Sequence, residues 1–251
     1  MVAGRRIIRF SEDVLEDLSA FTGISKDKII DYFDKSRVDN TKYELFEIVR
    51  PETRETLVWY YRVARAEFVH NATKYHDLPQ GRRGWPLLKK WIKPDMEVLD
   101  YGAGTGQNCI HIYQDLKAVP HYFEISIIQK EFFKFRCIKR NCDIHIIEPY
   151  TIFSEEIRFD PIESIGYGHY DIICLSQVLE HIVCPQKLLE RLVECLKNNG
   201  LLLEDTPFGS HDFQDLKSLT KDEFEQVMNG LSMEKIEHGV WKKKIGMESK
   251  F

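Results

Sequence analysis

The chain predicts an α/β fold: a doubly wound sheet preceded by an α-helical N-terminal extension. Three observations predict it. Residues 98–108, VLDYGAGTGQN, read as a strand that ends in an acid, turns through glycines and opens a helix. Beyond them, strand-like apolar runs alternate with helical stretches, the pattern of a largely parallel sheet with crossover helices. The first 84 residues instead carry helical periodicity throughout. The expected division is therefore a helical extension over 1–84 and the larger α/β domain over 85–251. Pro79 and Gly81 mark the joint.

Taken in order, Ser11 can cap a short helix whose Val14, Leu15, Leu18 and Phe21 share a face, with a stop near Gly23. Ser25 can cap a second, carrying Ile29, Ile30 and Phe33. After Pro51 a longer helix from Thr53 to Tyr75 shows Leu57, Tyr60, Tyr61, Ala64, Phe68 and Ala72 at helical spacing. The strand ending at Asp100 follows, then a helix from Asn108 to Leu116 and a second strand from His121 to Ser126. Tyr170 to Ile182 looks like a further strand with the loop after it, and Gly200 to Pro207 like the next strand. Thr220 and Glu223 have capping-box spacing ahead of a helix with Phe224, Val227 and Met228, stopped by Gly230. Met233 to Val240 reads as an antiparallel strand near the sheet edge. The charged stretch from Lys242 to Phe251 is expected to leave the seventh strand truncated or irregular.

The glycine turn carries the chemistry. Gly102, Gly104 and Gly106 allow backbone dihedrals and a close ligand approach that a Cβ would forbid. Position 107 is Gln and no Lys-Ser/Thr follows, so neither the dinucleotide nor the P-loop fingerprint is complete. Glu124 lies 18 residues beyond Gly106. Doubly wound folds place a carboxylate near that point to accept hydrogen bonds from both ribose hydroxyls. Together with the VLEH run at 178–181 and the Thr206-Pro207 ending of the fifth strand, these segments resemble the class I S-adenosylmethionine (SAM) dependent methyltransferases. The resemblance is to their small-molecule branch and covers about residues 85 to 240.

That resemblance implies a Rossmann-like sheet of seven strands and SAM as cofactor. By it, Asp100, Gly102, Ala103, Gly104, Thr105 and Gly106 cradle the methionine moiety, Glu124 with Ile125 meets the ribose, and Glu148 lies near the adenine. Ser176 and Gln177 line the methionine half. His181 is the candidate general base, with Glu180 beside it, because an imidazole titrates near neutral pH. The helices before the glycine loop are expected to act as a lid, presenting Tyr60, Tyr61, His70 or Tyr75. His211 with Asp212 forms a second pair at the same rim. Each role has a plainer counterpart. Asp100 could cap the turn, Glu124 could be a solvated strand-end acid, the Glu180-His181 pair could hold a loop, and the aromatic stripe could be packing.

Composition narrows the partners. A formal charge of −5 and 43% hydrophobic residues describe an ordinary packed domain with no global attraction to nucleic acid. The basic run from Lys130 to Arg140 reads as a helix with one apolar face on the sheet and a solvated basic face. The six cysteines form no C-x-x-C pair, so structural thiols and no metal site are expected. No apolar run of 18 residues occurs, and with a charged N-terminal stretch no secretory signal and a cytoplasmic location are expected. Leu175 to Val178 replaces the N-P-P-Y device of amino methylation, and no Pro-Cys pair ends that strand. A small-molecule or modified-peptide acceptor remains, with a possible homodimer through the N-terminal helices. The alternatives are a catalytically silent SAM-fold scaffold, an RNA methyltransferase acting with a partner, and a nucleotide-dependent oxidoreductase.

Overall fold

The computed structural model describes residues 12–31, 85–148, 166–182, 185–206, 208 and 219–245. The expected helix from Thr53 to Tyr75, with Tyr60, Tyr61, His70 and Tyr75, lies outside the described residues, as do the joint at 77–84 and His211 with Asp212. The chain divides into two compact units: Met1–Arg83 with Ser126–Arg140, and Gly84–Ile125 with Asn141–Phe251.

In the first unit, α1 (Glu12–Thr22) is followed by Gly23 at φ 72° and a second helical stretch over 26–31. Val14, Leu15 and Leu18 are buried with Ile29 and with Phe132 of a longer helix, Ile127–Arg140. Each such aliphatic burial contributes roughly 1.5–3 kcal/mol. Asp17 sits within this apolar cluster, fully buried. Its carboxylate accepts from Arg136 Nε at 3.0 Å and Lys139 Nζ at 2.9 Å, and pairs with Arg140. Arg136 is itself fully buried and lies over the Phe132 ring. The expected solvated basic face is therefore corrected: its central arginine is an interior group, held by an acid more than a hundred residues earlier. Removing the Asp17 carboxylate takes a buried partner from that charge, at a cost of up to about 3–5 kcal/mol.

The second unit is a seven-stranded sheet in the order β3-β2-β1-β4-β5-β7-β6. Its strands are β1 (Glu97–Tyr101), β2 (Val119–Phe123), β3 (His145–Ile147), β4 (Tyr170–Leu175), β5 (Leu196–Glu204), β6 (Met233–Glu237) and β7 (Val240–Lys243). The first five are parallel, and β7 runs antiparallel to both neighbours. The helices of this unit are α2 (Trp85–Trp91), α3 (Gln107–Gln114), α4 (Pro185–Cys195) and α5 (Lys221–Gly230). Strands buried on both faces read as continuous apolar runs, which is why β4 is YDIICL and β5 ends GLLLE. Leu99, Ile173 and Leu202 face Leu189 and Leu192 of α4 and Phe224 and Met228 of α5. Val98, Ile172 and Leu203 face Leu88 and Ile92, in and just after α2, and Ile112 of α3.

Thr220 caps α5 with both halves of the expected box: its hydroxyl accepts from Glu223 N–H, and the Glu223 carboxylate accepts from Thr220 N–H. The C-terminal expectation needs correcting. Met233 to Val240 is no single strand, because His238 and Gly239 turn the chain between β6 and β7. Gly239 stands at φ 74°, and a Cβ there would lie 2.5 Å from the Glu204 carbonyl oxygen. The last strand is paired on both sides inside the sheet; it is four residues long and its register against β6 shifts between Lys235 and Glu237, in line with the short or irregular strand expected.

Candidate functional site

Strand order reverses between β1 and β4, which opens a crevice beyond their carboxyl ends. The sequence-predicted site residues of the glycine loop, Glu124, Ser176 and Gln177 all come to this end. Asp100, one residue from the end of β1, is almost fully buried. Past it the chain turns through Gly102, Gly104 and Gly106 at φ 71°, 56° and 71°. A Cβ on Gly102 would stand 2.6 Å from Val178 Cγ2, so this position is closed to other residues by contact as well as by dihedral. Gly102 and Ala103 donate their N–H groups to the Phe123 carbonyl, at 2.8 and 3.0 Å. Gly104 donates to Glu124 Oε2 at 2.8 Å, and the Tyr122 hydroxyl donates to the Gly104 carbonyl at 2.7 Å. The loop is thereby fastened to β2 and to the acid that follows it. Thr105 is buried, and Gly106 opens α3.

Across the crevice, Gln177 follows β4 at φ 57°, an unusual conformation for a residue with a Cβ. Asp205, just past β5, holds it there. The Gln177 N–H donates to Asp205 Oδ1 at 3.0 Å, and its side-chain amide donates to the Asp205 carbonyl at 3.2 Å. Backbone strain of this kind persists where the surroundings over-determine it, commonly at functional sites. Asp205 is the residue that sequence reasoning missed. Its only signal was an acid at the end of an apolar strand, and its partner lies 28 positions earlier.

Three carboxylates, Asp100, Glu124 and Asp205, gather at this end. Burial pushes the Asp100 carboxyl up to about 7, and the negative charges of Glu124 and Asp205 add to the rise. The Cys109 thiol, donating at 3.6 Å, works against them. The result is an acidic basin that welcomes a cation.

The remaining expected residues divide. Ile125 is partly buried against the core beside the sheet, and Glu148 is exposed just past β3. Glu180 is buried in a 3-10 turn, Leu179–His181. The His181 backbone closes that turn, and its side chain lies outside the described residues. Cys109, Cys174 and Cys195 are fully buried thiols, in keeping with structural roles.

An α/β protein with a glycine turn, a carboxylate near the end of its first strand, another just past its second and a third across the switch point has the layout of the nucleoside-cofactor binders. The profile of a family described as "Methyltransferase domain" matches residues 68–240. That is well over half of the chain, and the chain belongs to this family. The fold agrees with solved structures. The [4+2]-cyclase SpnF aligns over 62% of this chain and 58% of its own, at TM-score 0.51 and 14% identity. The phosphoethanolamine N-methyltransferase 2 of Haemonchus contortus aligns over 62% of this chain and 38% of its own, at TM-score 0.51 and 16% identity. The same Haemonchus enzyme in complex with SAM gives 0.50, at 16% identity and 62% and 37% coverage. The matched region thus spans less than two thirds of each of those chains. No curated protein matches the sequence.

SAM is the cofactor of this family. It carries a sulfonium, an α-ammonium group and a ribose diol. The carboxylates of Asp100, Glu124 and Asp205 would supply the acceptors and negative charge those groups require, and Gly102 leaves the loop backbone bare. The residues present fit it.

Proposed function

We propose that the protein transfers a methyl group from SAM to a small-molecule or modified-peptide acceptor. The observation that carries this reading is the Asp100–glycine loop–Glu124 arrangement, with the Gly104 N–H bonded to Glu124 at 2.8 Å. When bound, SAM supplies a methyl group already activated on a sulfonium. What the chain must add is alignment of the acceptor's nucleophile for in-line displacement, and exclusion of water. Asp100 and Asp205 would hold the cationic amino-acid end, and Glu124 the ribose hydroxyls. Gln177, fixed in its strained conformation by Asp205, would present its backbone to the methionine half. For a hydroxyl acceptor, His181 would take the proton.

The acceptor class rests on Leu175 to Val178, which lacks the polar device used on nucleobase amines, and on a net charge of −5. The Haemonchus enzyme, named for phosphoethanolamine, makes small amines and alcohols the first acceptors to try. A second reading, a SAM-fold protein that does not methylate, draws on SpnF, whose name is that of a [4+2]-cyclase. Incubation with methyl-labelled SAM and a panel of amines, alcohols and peptides separates the two. Labelled product, abolished by excess S-adenosylhomocysteine (SAH), is expected. Tight SAM binding with no transfer to any acceptor class would favour the second reading.

A further inference from the structure

The amino ends of the same strands hold a second cluster of ionisable side chains. Glu97 opens β1, His121 lies in the middle of β2, and His169 immediately precedes β4. One carboxylate oxygen and two imidazole nitrogens from these residues all lie within 4.8 Å of one another. Glu97 Oε2 is 2.6 Å from His121 Nε2 and 3.8 Å from His169 Nε2. Ligand atoms around a tetrahedral zinc ion, each about 2.0–2.1 Å from it, stand about 3.3 Å apart. The two separations from Glu97 straddle that value, and the two imidazole nitrogens lie within 4.8 Å of each other.

The surroundings favour ligation over a plain ion pair. The Tyr170 hydroxyl lies 3.4 Å from His121 Nδ1, the nitrogen facing away from Glu97. An outer partner on one ring nitrogen, turning the other toward the ion, is the usual support of a metal-bound histidine. The ring of His169 packs edge-on against both His121 and Tyr170, at 5.4 and 4.8 Å between centroids. The His121 side chain is 13% exposed and that of His169 46%, so one ligand is fixed in the sheet while the other faces solvent, where an ion and its water can enter.

We propose that Glu97, His121 and His169 form a site for one divalent transition-metal ion of the zinc type, completed by water. Two imidazoles with one carboxylate suit zinc, nickel, copper or cobalt and not calcium or magnesium. The site joins β1, β2 and the entry to β4 at the end of the strands away from the glycine loop. Its ion therefore ties strands together and takes no part in holding the cofactor.

The test uses the full chain, freed of metal by a chelator and titrated calorimetrically with zinc chloride, with cobalt(II) as a spectroscopic probe. One equivalent is expected to bind at micromolar or lower concentration and to raise the melting temperature, with SAH affinity unchanged. Cobalt should give visible tetrahedral bands without sulfur-to-metal charge transfer. His169→Ala, at the exposed ligand, leaves the Glu97–His121 hydrogen bond in place and should weaken zinc binding at least tenfold. Glu97→Gln should do the same. No binding to the wild type, binding that both variants retain, or a thiolate charge-transfer band would overturn the proposal.

Discussion

The two ends of the parallel strands are both rich in ionisable side chains, yet those side chains are engaged differently. At the carboxyl ends, Glu124 and Asp205 accept from main-chain N–H groups of Gly104 and Gln177, and so hold loops in shape. At the amino ends, Glu97, His121 and Tyr170 meet one another across neighbouring strands. The first end gathers three acids into a basin; at the second, Glu97 meets two imidazoles, while Asp171 beside it accepts from the Glu97 N–H and from Lys197. One sheet thus offers a cofactor end, where side chains shape backbone, and an end where side chains face each other and are open to an ion.

The comparison can be broken most severely at Gly102. Gly102→Ala forces a left-handed residue against Val178, at a cost of about 1–3 kcal/mol in stability by urea unfolding. It should also displace the loop and weaken SAH binding by more than about tenfold, since 1.4 kcal/mol is a factor of ten. Trimming the clash with Val178→Ala should restore part of both losses; no recovery would mean that the dihedral alone is limiting.

Glu124→Ala comes next. A charge-assisted hydrogen bond to the ribose is worth about 1.5–3 kcal/mol. Calorimetry should therefore find SAH bound roughly 10- to 150-fold more weakly, with some added loss from the freed Gly104 N–H. Unchanged affinity would remove Glu124 from the site.

Asp100→Asn sharpens the electrostatic side. The folded carboxyl keeps its proton to about pH 7, whereas in the unfolded chain it ionises near 3.8. The native state binds the extra proton across that window, so this group makes the protein less stable as pH rises from about 4 to about 7. Thermal melts should show Asp100→Asn gaining up to a few kcal/mol over the wild type at pH 8 and nothing near pH 3. The same variant should bind SAH more weakly at pH 8, where the wild-type carboxylate is charged. A gain that does not depend on pH would contradict this assignment.

The smallest effect belongs to the opposite end. His121→Ala should leave SAH affinity within about twofold, because its hydrogen-bond partners, Glu97 and Tyr170, are not those of the glycine loop. A large loss of SAH binding there would show that the two ends are coupled.

These differences also explain what the sequence made legible. Asp100, the three glycines and Glu124 lie within one βαβ passage, so their spacing, with the family resemblance, pointed to a cofactor end. Loop-shaping groups must sit near the loops they shape. Asp205 was harder, because its role depends on a strained residue on another strand. The Glu97–His121–His169 cluster was invisible. Only the β1–β2 register, which pairs Leu99 with His121, brings those side chains together. Arg136 was misread for the same reason: a basic run is solvated by default, and nothing local signalled a buried acid at Asp17. At the C-terminus, Gly239 was the missed punctuation, its role set by the carbonyl of Glu204 on the neighbouring strand.

The most direct test of the central claim is calorimetric titration of the purified, ligand-free protein with SAH, which keeps the adenosine and amino-acid groups of the cofactor. The account predicts one site of micromolar affinity that Glu124→Ala weakens at least about tenfold. A folded protein that binds no SAH, or binds it equally well without Glu124, would contradict it.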